Sequence, residues 1–376
     1  MVYRSARPGN THVVANRDLA FSFFMMRQST RRWGAHSILY AAEPWGVIAR
    51  GVRDRVKVPA EQEAASSFVR QAREYFEAAE RALAVETKPL LYYYSFLNLG
   101  KALSTVRGRP NMVGKVKHGI VVDSSAGHLV TTAEVVGQPS STSVPSALDE
   151  LHQAIEGIDA PRQNLPIRDV VPQSVVGHRM WREAVGSGAD ARRERFLAAE
   201  IVELRHDQVA KEIWAVVKFR RTALNRLGRG NARTLRESGL DDDFVLVQDD
   251  DNAEFVTIEQ ATPLTYSDRP SDRAMDVVAM LRPNLWQTVI PTPPYRRFYV
   301  YLSPANERRL PQWYSIYAVM FWLGSLTRYQ PVELLQNLNG EYGAFFSEFL
   351  ATQPNQMLYM MASEFIQQDV THATVV

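Results

Sequence analysis

Three groups of residues have the types and spacing to do chemistry. Lys218, Arg220, Arg221, Arg226, Arg229, Arg233 and Arg236 fall in one short stretch with no acid between them. Gly228, Gly230 and Asn231 make part of that stretch a loop, and guanidinium forks beside backbone amides suit phosphate oxygens. Tyr94, Asn98 and Lys101 are spaced by four and three, which puts them on one side of a helix whose other residues are apolar. An amide and an ammonium buried without partners are costly, so they must meet an acid, a ligand or water. With Arg328 they make a candidate polar pocket for an anion or nucleotide; the alternative is a solvated face, or one bonded to late helices through Arg328 and Glu364. The third group is acidic: Asp241, Asp242 and Asp243, then Asp249, Asp250 and Asp251, bracket one predicted strand. Clustered carboxylates can hold magnesium. However, Asp-Asp-Asp-Asn is also good turn chemistry, and the following strand offers Glu259-Gln-Ala rather than the Glu-x-Lys of restriction-type nucleases.

Histidine adds two smaller possibilities. His118, Asp123 and His128 flank one predicted hairpin, and Arg205-His206-Asp207 closes another strand. A histidine with an acid can move protons or bind metal, although a loop histidine near a turn acid is ordinarily structural. No nucleophile elbow, P-loop or dinucleotide-binding glycine pattern is present. No catalytic residue, metal set or cofactor is therefore assigned.

The elements that must position these groups follow from periodicity. The chain of 376 residues is 45% hydrophobic and 22% charged, enough for a real core, and its formal charge of +2 leaves any electrostatic partner to local patches. With no cysteine, disulfides, thiolate metal sites and a cysteine nucleophile are excluded, which fits a reducing cytoplasm. The most apolar stretch, 313–326, falls short of the roughly 20 residues of a membrane span. Apolar residues at three- and four-residue spacing predict a helix over 64–84, and Thr87, Pro89 and Gly108 punctuate a second, apolar all round and so central. Strands are expected over 118–122 with 128–136, 198–205, 244–248 with 254–259, and 295–302, and over 212–219, where a helix is the alternative. Short helices are expected over 146–155, 168–171 and 175–185, and longer ones over 313–329, from Pro331, and over 354–370. The order helix, sheet, helix gives an α+β fold, with helical N- and C-terminal parts packing together around or beside a central antiparallel β-rich region. The expected parts are 1–137, mostly helical with a hairpin; 138–309, β-rich; and 310–376, a helical bundle returning to the first helices.

Two segments carry a family resemblance. The run Thr87-Lys-Pro-Leu-Leu-Tyr-Tyr-Tyr-Ser-Phe-Leu-Asn-Leu-Gly-Lys-Ala102 is preceded by Gln71-Ala-Arg-Glu-Tyr-Phe-Glu-Ala-Ala79. Later come Leu323-Gly-Ser-Leu-Thr-Arg-Tyr-Gln-Pro331 and Met357-Leu-Tyr-Met-Met-Ala-Ser-Glu364. Together they resemble the bacterial YaaC-like family, which implies a cytoplasmic protein and carries no assigned chemistry. The paired helices also look like HEPN domains, many of them RNases with an Arg, four to six intervening residues, then a His. Arg31 with His36 and Arg7 with His12 have that spacing, but Gly34 weakens the first as a helix and Pro8-Gly9 forbids the second. The leading expectation is a binding or assembly protein that engages nucleic acid or a phosphorylated ligand through the basic segment, within a multi-gene defence system by family analogy alone. The rivals are a HEPN-like RNase or metal-assisted phosphodiesterase, and a structural subunit whose apolar helix at Trp313 docks a partner or a second copy.

Overall fold

The computed structural model describes residues 3–14, 17, 18, 21–24, 38–109, 112–186, 194–248, 254–303 and 308–372. Contacts divide the chain into two compact units: Ala41–Arg192 with Gln312–Val370, and Met1–Tyr40 with Arg193–Pro311 and Thr371–Val376. The chemistry-based division at 137 and 309 runs along the chain, whereas contacts group residues across it. The fold is α+β, with helices early and late in the chain sharing one unit.

The first unit is helical. It contains α1 (Trp45–Arg55), α2 (Pro59–Arg81), α3 (Lys88–Val106), α4 (Ala147–Glu156), α5 (Ile167–Val170) and α6 (His178–Ala184). Helices α10 (Gln312–Tyr329), α11 (Pro331–Asn339) and α12 (Gly343–Ile366) complete it. As its composition requires, α3 is central: Phe96, Leu99, Ala102 and Leu103 are wholly buried, and α2, α4, α10 and α12 all pack on it. Its C-terminus is a Schellman motif. Gly108 takes φ +68°, Gly108 N–H bonds to Thr105 O, and Arg109 N–H to Ser104 O. Its start differs from expectation, because the Thr87 hydroxyl donates back to Ala84 O instead of capping the helix. Ser146 does cap α4, accepting from Asp149 N–H at 3.3 Å.

A small sheet lies in the same unit, with β1 (Ile120–Val122), β2 (Glu134–Gly137) and β3 (Gln163–Pro166) in the order β1-β2-β3. The tight hairpin expected around residues 123–127 is a longer loop. Its second half makes a helical turn, with Ala133 N–H on Leu129 O, so His128 lies outside any strand.

The second unit is built on β4 (Phe196–Ala199), β5 (Ile201–Asp207), β6 (Glu212–Arg220), β7 (Phe244–Gln248), β8 (Phe255–Gln260), β9 (Trp286–Val289) and β10 (Arg296–Tyr301). The expected single strand over 198–205 is two, broken at Glu200 and placed in different sheets. Its main sheet runs β7-β8-β6-β5, edged by the short strands Arg4–Ser5 and Asn10–Thr11. Pairing is antiparallel apart from Arg4–Ser5 on β7. Alternation along β6 sends Ile213, Ala215, Val217 and Phe219 into one apolar cluster with Val277 and Leu281 of α9 (Ala274–Leu281). No helix among the described residues is long and apolar enough to cross a membrane.

Candidate functional site

An open cleft of about 640 Å³ lies in the helical unit between α3, α10 and the residues leading into β1. Its walls include Tyr93, Lys117, His118, Phe321, Arg328 and Tyr329, and no carboxylate among the described residues lines it. The helices approach closely because position 324 is glycine. A Cβ there would stand 3.3 Å from the Leu90 Cα and Pro89 O of α3, atoms that cannot swing aside. Tyr93, in the second turn of the apolar α3, meets Phe321 and Tyr317 edge-on.

The Tyr93 hydroxyl lies 2.7 Å from His118 Nδ1. Burial holds the phenol far above its ordinary range, so Tyr93 stays protonated. Burial also lowers His118, and the positive charges of Lys101 and Arg328 lower it further. The ring is therefore neutral at neutral pH, with one donor and one acceptor nitrogen. One nitrogen engages Tyr93, and the other makes no hydrogen bond among the described residues. Arg328 donates from Nη1 to the Tyr94 hydroxyl at 2.9 Å, and its guanidinium lies 4.7 Å from the centre of the Tyr329 ring. No carboxylate pairs with Arg328 among the described residues.

The four residues of the candidate polar pocket thus have different fates. Tyr94 and Arg328 meet, and the Tyr94 ring stacks on Tyr75 at 5.4 Å. Asn98 is buried, and its amide donates to Tyr94 O along its own helix. Lys101 opens on a second cleft of about 670 Å³, with Phe68 and Gln71 of α2 and with Met112. Its ammonium sits 5.3 Å from the Phe68 ring, makes no ion pair among the described residues, and has its pKa lowered by burial. Glu364 pairs with Arg107 at 2.8 Å, not with this stripe. Sequence reasoning missed Tyr93 and His118 as partners. Both were visible as residue types, but they stand far apart in the chain, and nothing in their spacing shows that they meet.

The basic run is largely occupied within its own unit. Lys218 is half-buried on β6 between Ile201 and Thr257. Arg220 pairs with Glu200 at 3.3 Å and Glu254 at 2.6 Å, and Arg221 donates to Phe255 O. Short helices α7 (Arg221–Arg226) and α8 (Asn231–Ser238) follow. Glu237 of α8 accepts from both Arg229 and Arg233, the latter at 2.7 Å. Arg226 and Arg236 remain exposed and, among the described residues, without an ion pair or side-chain hydrogen bond.

The other candidates have local roles. Asp123 accepts from the N–H and hydroxyl of Ser125, which holds its carboxyl below the usual range. Asp241, Asp242 and Asp243 form the turn before β7, while Asp249, Asp250 and Asp251 lie outside the described residues. Among the described residues no group of His, Asp and Glu could hold a metal ion. His206 of β5 meets His12 edge-on at 5.5 Å, and Arg7 donates to Gln260 O and Ala261 O across the sheet. Arg7 and His12 therefore point at different partners, and Arg31 with His36 lies outside the described residues.

The model of the YaaC-like protein family matches residues 37–365. The chain belongs to the YaaC-like family. The matched span of this YaaC-like protein contains the cleft, the Lys101 site and the whole basic run, whereas both Arg–His pairs of RNase spacing include residues that precede it. No curated protein and no solved structure matches the chain.

Proposed function

We propose that this YaaC-like protein is a binding protein for an anionic, phosphate-bearing ligand of about nucleotide size, held in the Tyr93–His118–Arg328 cleft. The observation that carries this reading is the charge of the walls: Arg328 and Lys117 stand beside a neutral imidazole with no carboxylate among the lining residues. A cation without an internal acid gives up only hydration when an anion arrives, and the guanidinium fork matches phosphate oxygens. Phe321 and Tyr329 supply apolar and aromatic wall area of the kind that seats a base or ring. The volume lies within the ordinary range for small-molecule sites, roughly 300–1,000 Å³.

Calorimetric titration with pyrophosphate, nucleoside mono-, di- and triphosphates and the parent nucleosides tests this. Phosphorylated compounds should bind and nucleosides should not, and Arg328→Met should weaken binding at least about tenfold, the loss of one charge-assisted hydrogen bond. Equal affinity in the variant, or no phosphorylated compound bound at millimolar concentration, would remove the proposal.

A further inference from the structure

Lys101 stands apart from the anion cleft, on the face of α3 turned to α2, and ring contacts fix how these two helices meet. Phe68 lies beside Lys101, and seven residues along each helix Tyr75 stacks on Tyr94. The helices are therefore antiparallel in this stretch. Their register sets Lys101 Nζ 5.3 Å from the centre of the Phe68 ring, and both residues line the cleft of about 670 Å³. Its inner wall is apolar, with Ala64, Phe68 and the buried Met112.

The amine itself is unclaimed. It makes no ion pair and no hydrogen bond among the described residues. Although Lys101 is half-buried, Nζ is not among the unpartnered side-chain atoms closed off from solvent, so it touches solvent at the cleft that Lys101 lines. Burial disfavours its charged form. Two carboxylates, Glu61 and Glu63, line the same cleft, but both residues are exposed. They precede Phe68 on α2 by seven and five residues, roughly 10 and 8 Å along the axis, which makes them a rim and not a partner. A lysine kept for solubility extends its ammonium into water. A lysine partly desolvated against an apolar wall is instead a nucleophile for carbonyl carbon.

We propose that Lys101 is the nucleophile of a covalent site that takes an uncharged aldehyde or ketone with an apolar body, as a Schiff base. The amine lone pair attacks the carbonyl carbon, and the carbonyl oxygen takes up a proton. The carbinolamine then loses water as the C=N bond forms, so the amine and the carbonyl compound are the only reactants. The apolar wall favours a hydrocarbon or aromatic body, and the acidic rim disfavours a negative charge. The site is independent of the anion cleft, because no residue lines both.

The test treats the full chain at neutral pH with benzaldehyde or its para-carboxylated analogue, and sodium cyanoborohydride to trap the imine. Peptide mapping by mass spectrometry reads the initial rate at each of the seven lysines. Lys101 should take up benzaldehyde at least about fivefold faster than the mean of the others, with a rate that saturates where theirs rises linearly. Relative to the other lysines, Lys101 should discriminate against the carboxylated aldehyde, and Glu61→Gln with Glu63→Gln should relieve that discrimination. Lys101→Arg should abolish the saturating component and leave the circular dichroism spectrum unchanged. A Lys101 rate within the spread of the other lysines, or one that does not saturate, overturns the covalent site. Saturating uptake of both aldehydes alike overturns the assignment of an uncharged ligand.

Discussion

His118 takes its charge state from residues on other elements, and that dependence is measurable. Like charges disfavour the imidazolium, so removing Arg328 or Lys101 should let the histidine pKa climb back toward its usual value. Proton NMR of the ring in Arg328→Met and Lys101→Met reads this directly, and an unmoved titration in both would show that burial alone sets it. His12 gives the opposite sort of experiment. Burial and the facing His206 lower it to about 4, and neither ring nitrogen has a hydrogen bond among the described residues. Between that value and an unfolded value near 6.5, the unfolded chain binds more protons than the folded one. Stability should therefore be fully present above about pH 6.5 and fall as pH drops toward 4. Melting curves across that window should flatten in His12→Gln. Helical spacing was enough to place Tyr94, Asn98 and Lys101 on one helix side, because side-chain direction in a helix is a local property. The link from Tyr93 to His118 was not legible, because it depends on where a loop returns after α3 has ended.

The elements show the same boundary between local and distant information. Helix α10 and the strands β6, β7 and β8 lie within a residue or so of expectation, because their hydrophobic period is strong and their flanking turns are clear. Helix α12 starts earlier than its sequence suggests. Pro354 reads as a first-turn residue, but the helix begins at Gly343 and carries Pro354 inside, where packing of Phe346, Phe349 and Leu358 outweighs the lost backbone bond. From sequence the basic run looks available because no acid interrupts it. Its acids come from just outside it: Glu237 from the adjoining helix turn, Glu200 from the break between β4 and β5, and Glu254 from the turn before β8. Glu237→Gln should cost about 1–3 kcal/mol in chemical denaturation, because Arg229 would keep its burial and lose a charged partner. Any DNA binding through α7 and α8 should show a log–log salt slope near about −2, for two available arginines, rather than about −6 for all seven bases of the run. A slope at the steeper value would mean that the internal ion pairs open on binding.

At the scale of the whole molecule, α3 is the helix on which the helical unit depends. Phe96→Ala at its centre should cost about 3–5 kcal/mol, since the aromatic site is wholly enclosed and its neighbours are backbone-anchored helices. Breaking the Arg107–Glu364 pair from the arginine side, as Arg107→Met, should cost about 2–4 kcal/mol by leaving a carboxylate buried among α12 residues. Equilibrium unfolding with near-ultraviolet circular dichroism would report both. The joining of early and late helices also imposes an order on biosynthesis. A ribosome finishes α3 at Val106 and does not begin α10 until Gln312. At about 5–20 residues per second, that delay is roughly 10–40 s. For that interval the nascent chain holds an oily helix without its eventual lid. Chains stalled before residue 312 should therefore recruit chaperones or aggregate, and release of α10 should end that state.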